Sequence, residues 1–91
     1  MLNGIDKLES MHKTIKKEVQ MIPRGDKIQN RFRYLYYNYR MKSLRKKAKY
    51  KESNMEVFLR CLSEIREEYP DFTPKVGGIF KKELMKHDGK W

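Results

Sequence analysis

The spacing of apolar residues predicts two amphipathic helices on either side of a central segment. Over residues 4–21 apolar positions recur every three or four residues, as on one stripe of a helix, and Pro23 ends the pattern. The stripe contains Ile5, Leu8, His12, Ile15, Val19 and Ile22. A similar stripe covers residues 54–69 after a capping box from Ser53 to Glu56. Its inward positions are Val57, Phe58, Cys61, Leu62, Ile65 and Tyr69.

The central segment predicts a long helix from about residue 26 to residue 51. Pro and Gly in residues 22–26 indicate a turn, and Asp26 is an acid well placed near a helix N-terminus. This helix would be apolar on two opposite flanks. One flank contains Ile28, Phe32, Leu35 and Tyr39, and the other contains Tyr34, Tyr37, Met41, Leu44 and Ala48. Either both flanks pack inside the domain, or one of them binds a second molecule.

The C-terminal segment predicts a fourth helix over residues 74–86, because Thr73 and Pro74 suit the N-cap and the first helical position. Val76, Ile79, Phe80 and Leu84 would face inward. The pair Gly77–Gly78 disfavours helix, so either the helix begins after it or the two glycines let another backbone come close. We expect residues 87–91 to fray. The fold class is therefore all-α: a compact bundle of about four helices in a single domain, residues 1–91, with a long central basic helix.

The third and fourth predicted helices, joined by residues 70–73, have the order and loop length of a helix-turn-helix. The basic outer face of the fourth helix would then read DNA. The segment YPDFTPKVGGIFKKEL also resembles, over sixteen residues, the second half of winged-helix domains in viral and plasmid replication proteins. The alternative is a fourth helix that only packs, which the acidic end of the third helix favours.

The charge distribution indicates a binding partner, because the whole net charge lies on the central segment. The chain has 22 basic and 12 acidic residues and a net charge of +10. Residues 24–51 alone contain eleven bases and one acid, and the remaining parts cancel. A segment with many bases and almost no acids indicates a partner rich in phosphates or carboxylates.

The sequence therefore predicts a small nucleic-acid-binding accessory or regulatory protein of a virus, plasmid or bacterium. Lys and Arg displace counterions from phosphates, and Tyr stacks on bases. DNA is expected ahead of RNA, and residues 40–51 are expected to project as a basic arm. The candidate phosphate contacts are Arg31, Arg33, Arg40, Lys42, Arg45, Lys46, Lys47, Lys49, Lys51, Lys75, Lys81, Lys82 and Lys86.

The alternative function is a protein interaction module, either an adaptor or an inhibitor. The tyrosine-rich and basic faces of the central helix would then bind an acidic protein or a second copy of the chain. The candidate interface residues are Tyr34, Tyr37, Met41 and Leu44.

Candidate catalytic residues are few, so we expect that the protein is not an enzyme and that it binds neither a metal ion nor an organic cofactor. His12 lies in an apolar stripe and His87 in the tail, and neither has a Cys or His partner at ligand spacing. The lone Cys61 is expected to be a small core residue. No apolar run is long enough to span a membrane, and we expect a cytoplasmic protein, associated with a nucleoid or in a host cytoplasm.

Overall fold

The protein folds as four α-helices and one short 3-10 helix in a computed structural model that describes residues 4–89, with the backbone alone for residues 4–9, 11 and 48. The elements are α1 (Gly4–Val19), α2 (Lys27–Leu44), the 3-10 helix (Ala48–Tyr50), α3 (Asn54–Glu68) and α4 (Gly78–His87). Residues 4–89 contain no β-strand, which confirms the all-α prediction. No helix in this range is long and apolar enough to cross a membrane. The prediction that residues 87–91 fray is wrong for His87, which lies in α4, and for Asp88, which pairs with Arg66 at 2.9 Å. Residues 90–91 and the predicted inward side chains of Ile5 and Leu8 lie outside what is described.

Helix α3 begins at the predicted cap Ser53, and α2 begins at Asp26, which the sequence predicts as an acid near a helix N-terminus. The Asp26 carboxylate accepts a hydrogen bond from the Gln29 backbone N–H at 2.8 Å. The Ser53 hydroxyl accepts one from the Glu56 backbone N–H at 3.2 Å. Each bond satisfies an amide that has no partner within the first helical turn, so short-range sequence signals position the starts of α2 and α3.

The hydrophobic core forms where α2 packs against α1 and α3. The Phe58 and Phe80 rings stack at a centroid distance of 4.8 Å, while Phe32 and Tyr36 meet these rings edge-on. The other buried apolar residues are Ile15, Val19, Ile22, Val57, Cys61, Leu62, Ile65 and Leu84. The Cα radius of gyration is 14.0 Å, near the roughly 12 Å of a compact domain of this length and far below the roughly 30 Å of an unfolded chain. The prediction of a compact bundle is therefore confirmed.

Three residues of the predicted inward stripes lie on the surface instead. Tyr69 follows the end of α3 and Ile79 lies in the first turn of α4, and both are exposed. His12 is also exposed. Tyr69 and Ile79 lie where a helix ends or has only just begun, and there the chain direction no longer keeps a side chain on the packed face. His12 lies in the middle of α1, at the exposed edge of the stripe, with its ring Nδ1 2.8 Å from the Tyr37 hydroxyl.

Helix α2 ends at Leu44, so the prediction of one continuous helix to residue 51 is wrong. The buried Ser43 hydroxyl accepts a hydrogen bond from the Glu52 backbone N–H at 3.0 Å. The same hydroxyl donates to the Glu52 backbone carbonyl at 3.3 Å. These bonds require the chain to turn back after α2. A continued helix would instead place several bases at mutually repelling positions and carry residue 52 away from Ser43.

Helix α4 begins at Gly78, the second glycine of the pair, so the predicted start at residue 74 is wrong. Gly78 has a φ of +57°, a left-handed conformation that favours glycine. The Gly77 backbone N–H donates to the Met21 carbonyl at 2.8 Å, and a Cβ on Gly78 would lie 2.7 Å from the Met21 sulfur. The start of α4 is thus held against the backbone that follows α1, the close approach that the glycine pair predicts, and the left-handed backbone at Gly78 favours glycine there.

The connection between α3 and α4 spans residues 69–77, longer than the predicted four-residue turn, and the helix-turn-helix is not confirmed. Buried Gln29 holds this connection in place. Its side-chain amide donates to the carbonyls of Pro23 and Lys75, and its side-chain oxygen accepts from the Lys75 backbone N–H at 3.0 Å. Lys75 therefore lies in the connection and not on α4.

Candidate nucleic-acid interface

Residues 45–51, called the basic loop below, carry five bases and no acid. All five, Arg45, Lys46, Lys47, Lys49 and Lys51, are exposed. An open cleft of about 550 Å³ is lined by three of them and by Tyr50. The Tyr50 ring is 58% exposed, and the Lys49 ammonium lies 4.9 Å from its centroid. The cleft thus places an accessible aromatic face among positive charges.

Within the described part of the chain, one residue of the basic loop forms an ion pair. The Lys46 ammonium lies 3.4 Å from the Glu52 carboxylate, which also pairs with Arg60 at 2.9 Å. The side chains of Lys46 and Arg60 are both about two-fifths exposed. Ion pairs that are open to water contribute little to the stability of a fold, and salt weakens them. Lys46 can therefore exchange its carboxylate for a phosphate at small cost, and the loop keeps its positive potential.

Arg40 lies away from this surface, which corrects its assignment to the phosphate contacts. It is 8% exposed, and its guanidinium donates to both carboxylate oxygens of Glu18, at 2.8 and 3.0 Å. The fully buried Tyr36 hydroxyl donates to the same carboxylate. The hydrogen bond to Glu18 raises the pKa of Arg40 and burial raises the pKa of Tyr36, so both groups stay protonated. The Glu18–Tyr36–Arg40 cluster joins α1 to α2 and offers no charge to a ligand.

The remaining predicted bases of α2 have partners in the fold as well. Arg31 pairs with Glu68 at 2.7 Å, with both side chains about half exposed. The Arg33 Nε donates to the Ile22 carbonyl at 2.9 Å. Lys42 is exposed, and its ammonium lies 5.9 Å from the Tyr39 ring centroid. These side chains point in several directions, so α2 itself presents no continuous phosphate-binding face.

The predicted partner-binding flank of α2 divides into exposed and packed residues. Tyr34 is 66% exposed. The Tyr37 hydroxyl, in contrast, lies 2.8 Å from His12 Nδ1, and Met41 and Leu44 are partly buried against the core. Tyr34 is therefore the residue of this flank that is most accessible to a partner.

A groove of about 490 Å³, called the α1–α2 groove below, lies beside Tyr34. It is lined by Val19, Arg24, Asn30, Arg33, Tyr34 and Tyr37. The sequence patterns did not single out Arg24 or Asn30, since the first lies in a turn and the second is an ordinary polar residue. Tertiary packing of α1 against α2 brings them together.

The predicted bases near the C-terminus form a separate basic patch. Lys81, Lys82 and Lys86 are exposed on α4, and Lys75 is exposed in the connection that precedes it. Lys75 lies outside α4, and the helix-turn-helix that would make α4 a recognition helix is not confirmed.

The Glu18–Tyr36–Arg40 cluster was not found from the sequence, although a signal for it exists. Glu18 follows Ile15 by three residues and precedes Ile22 by four, so it lies on the packed stripe of α1. Tyr36 and Arg40 are one helical turn apart on α2. An acid on an inward stripe requires donors on the facing helix, and these two residues supply them.

The candidate reactive groups of the sequence are a buried thiol, Cys61, and two exposed histidines, His12 and His87. Burial raises the pKa of the Cys61 thiol to about 12, which keeps it protonated and unreactive. His12 binds Tyr37, and His87 is exposed in the last turn of α4. Residues 4–89 contain no group of three His, Cys, Asp or Glu side chains that could hold a metal ion.

Comparison of the chain with protein-family models, with curated proteins and with solved structures finds no match.

Proposed function

We propose that the chain is a small nucleic-acid-binding accessory or regulatory protein that contacts phosphates through the basic loop. The cleft lined by Arg45, Lys46, Lys47 and Tyr50 carries this proposal. Lys and Arg release counterions from a nucleic-acid backbone, and an exposed tyrosine offers a face to a base. Of the loop's five bases, only Lys46 has a carboxylate partner among the described ion pairs.

The way in which the loop is held supports this function. Ser43 and Glu52 bond to each other across the two ends of the loop, and the 3-10 helix Ala48–Tyr50 shapes its middle. A loop closed at its base loses less conformational freedom on binding than an open tail would. The positive charges are thus presented from a fixed position at the end of α2.

Binding through five loop bases has a defined salt dependence. Each phosphate neutralised contributes about −0.9 to the slope of log K against log salt concentration for duplex DNA and about −0.7 for a single strand. Five contacts therefore give a slope of roughly −3.5 to −4.5. Removing three of them is expected to reduce the slope by about 2 to 3.

The test is a fluorescence-anisotropy titration with labelled DNA and RNA oligonucleotides of 20 residues, repeated between 50 and 200 mM salt. One variant carries Lys47→Gln, Lys49→Gln and Lys51→Gln in the basic loop. The matched control carries Lys81→Gln, Lys82→Gln and Lys86→Gln on α4. We expect the loop variant to lose affinity and slope, while the control variant, with the same charge removed, stays close to the unaltered protein. DNA is expected to bind at least as tightly as RNA.

Two results would overturn the proposal. The first is the absence of binding to any oligonucleotide at 50 mM salt. The second is an equal loss of affinity in the loop and control variants, because that would indicate attraction by net charge rather than by the loop. Circular dichroism spectra must show that both variants keep their helices.

The exposure of Tyr34 supports a second candidate function, an interaction module that binds an acidic protein. A pull-down from lysate, with and without nuclease, separates the two functions. A defined protein that stays bound after nuclease treatment and is lost with Tyr34→Ala would favour the interaction module. Loss of all bound material on nuclease treatment would favour nucleic-acid binding.

A further inference from the structure

The α1–α2 groove and Arg45, the first residue of the basic loop, lie on the same side of α2. Eleven residues separate Tyr34 from Arg45, which is close to three helical turns, so the two side chains leave the helix in nearly the same direction. Asn38 and Met41 lie between them on this side and are partly exposed. At 1.5 Å per residue the separation along the axis is about 16 Å, the length of about five stacked nucleotides at 3.4 Å each.

The chemistry of the α1–α2 groove suits a planar group that carries a negative charge. Tyr34 exposes two-thirds of its surface at the wall of the groove, and Arg24 and Arg33 provide guanidinium groups beside it. None of the six lining residues is acidic. A nucleotide combines an aromatic base with a phosphate, so it matches both features.

The polar side chains of the groove are already oriented by the fold. The Arg33 Nε donates to the Ile22 carbonyl, which fixes the guanidinium while its terminal N–H groups remain available as donors. The Asn30 side chain is held on both sides by Gly25, accepting from its N–H at 2.9 Å and donating to its carbonyl at 3.1 Å. A ligand would therefore bind to side chains that need little reordering.

An exposed tyrosine in such a groove distinguishes single-stranded from double-stranded nucleic acid. In a duplex, neighbouring base pairs cover both faces of each base, so the Tyr34 ring has no base face to contact. In a single strand a base can turn out and stack on an aromatic side chain. The basic loop by itself would attract either form, because it contacts phosphates.

We propose that the protein binds single-stranded nucleic acid in preference to duplex, with one unpaired base stacked on Tyr34 and a neighbouring phosphate bound by Arg33. From there the strand runs along α2 to the basic loop. This inference rests on the proposed function of the loop and defines its substrate class.

The test compares a labelled single strand of 20 thymidines with a 20-base-pair duplex, in anisotropy titrations at one salt concentration. The variants are Tyr34→Ala, Tyr34→Phe and, as a control at an exposed tyrosine outside the groove, Tyr69→Ala. The unaltered protein is expected to bind the single strand more tightly. Tyr34→Ala should weaken single-strand binding about 5- to 150-fold, the effect of one lost base–aromatic stack, and should leave duplex binding within about twofold. Tyr34→Phe and Tyr69→Ala should both behave like the unaltered protein.

The outcomes separate this inference from the function on which it rests. If Tyr34→Ala leaves single-strand binding unchanged, or weakens both forms equally, while the loop lysine variant still loses affinity, the single-strand site is refuted and the basic-loop function stands. If no oligonucleotide binds, both are refuted. Retention of an acidic protein that survives nuclease and requires Tyr34 would assign the groove to a protein partner and overturn the inference.

Discussion

The Glu18–Tyr36–Arg40 cluster allows a sharp test of what holds α1 against α2. We expect Glu18→Ala to destabilise the protein strongly. The Glu18 carboxylate accepts hydrogen bonds from the Arg40 guanidinium at 2.8 and 3.0 Å and from the Tyr36 hydroxyl. Both side chains of the ion pair are about nine-tenths buried. Without the carboxylate, a buried positive charge and a buried hydroxyl lose their acceptor.

The expected loss of stability follows from that burial. Removing one partner of a buried ion pair costs about 3–5 kcal/mol, because the other charge stays uncompensated in a medium of low polarity. The total free energy of unfolding of a small domain is only about 5–15 kcal/mol. For a domain of this size each kcal/mol changes Tm by roughly 4–8 °C, so Tm should fall by about 12 °C or more.

The measurement is urea and thermal unfolding followed by circular dichroism at the helix band. Glu68→Ala is the matched control, because Glu68 also pairs with an α2 arginine, Arg31, but both side chains are about half exposed. That exposed pair should contribute less than about 1 kcal/mol. A loss in Glu18→Ala no larger than in Glu68→Ala would refute the reasoning. The combination Glu18→Leu, Tyr36→Phe and Arg40→Met should recover most of the stability, since it removes the polar groups together.

Three further predictions concern the local features of the fold. Gly78→Ala should destabilise by roughly 1–2 kcal/mol, because the left-handed backbone at Gly78 disfavours a Cβ. Gly77→Ser supplies a missing N-cap oxygen and should stabilise by roughly a few tenths of a kcal/mol, and urea unfolding compares the two variants. Ser43→Ala should cost roughly 1 kcal/mol and speed trypsin cleavage within residues 45–51, because the loop loses its closing hydrogen bonds; unchanged cleavage would contradict this. Burial raises the pKa of Cys61 from an ordinary value of 9.0 to about 12. The contribution of the buried thiol to stability is therefore complete below pH 9 and is lost as the pH rises toward 12, because in this range the thiol ionises in the unfolded chain before it ionises in the folded one. The free energy of unfolding, measured in urea, should fall with pH above pH 9, and Cys61→Ala should remove the part of this fall that Cys61 causes.

Counting charges along the sequence predicted part of the candidate interface, the basic loop, but also included a base that is buried. The excess of bases in residues 24–51 located the basic loop, because charge that the fold does not neutralise remains at the surface. The same count included Arg40, whose charge is neutralised inside the protein by Glu18, 22 residues away in the sequence. A base in the sequence is a candidate contact, and only its neighbours in space decide whether it is available.

Local sequence determined the helical class, the caps at Asp26 and Ser53, and the inward faces of α1 and α3, because these features depend on residues within one or two helical turns of each other. Tertiary structure alone decided where α2 ends, where α4 begins and which polar groups are buried. Ser43 must reach Glu52, Gln29 must reach Lys75, and Gly77 must reach the end of α1. These bonds join groups that helical periodicity does not relate. Their strength comes from burial, which exists only once the helices have packed.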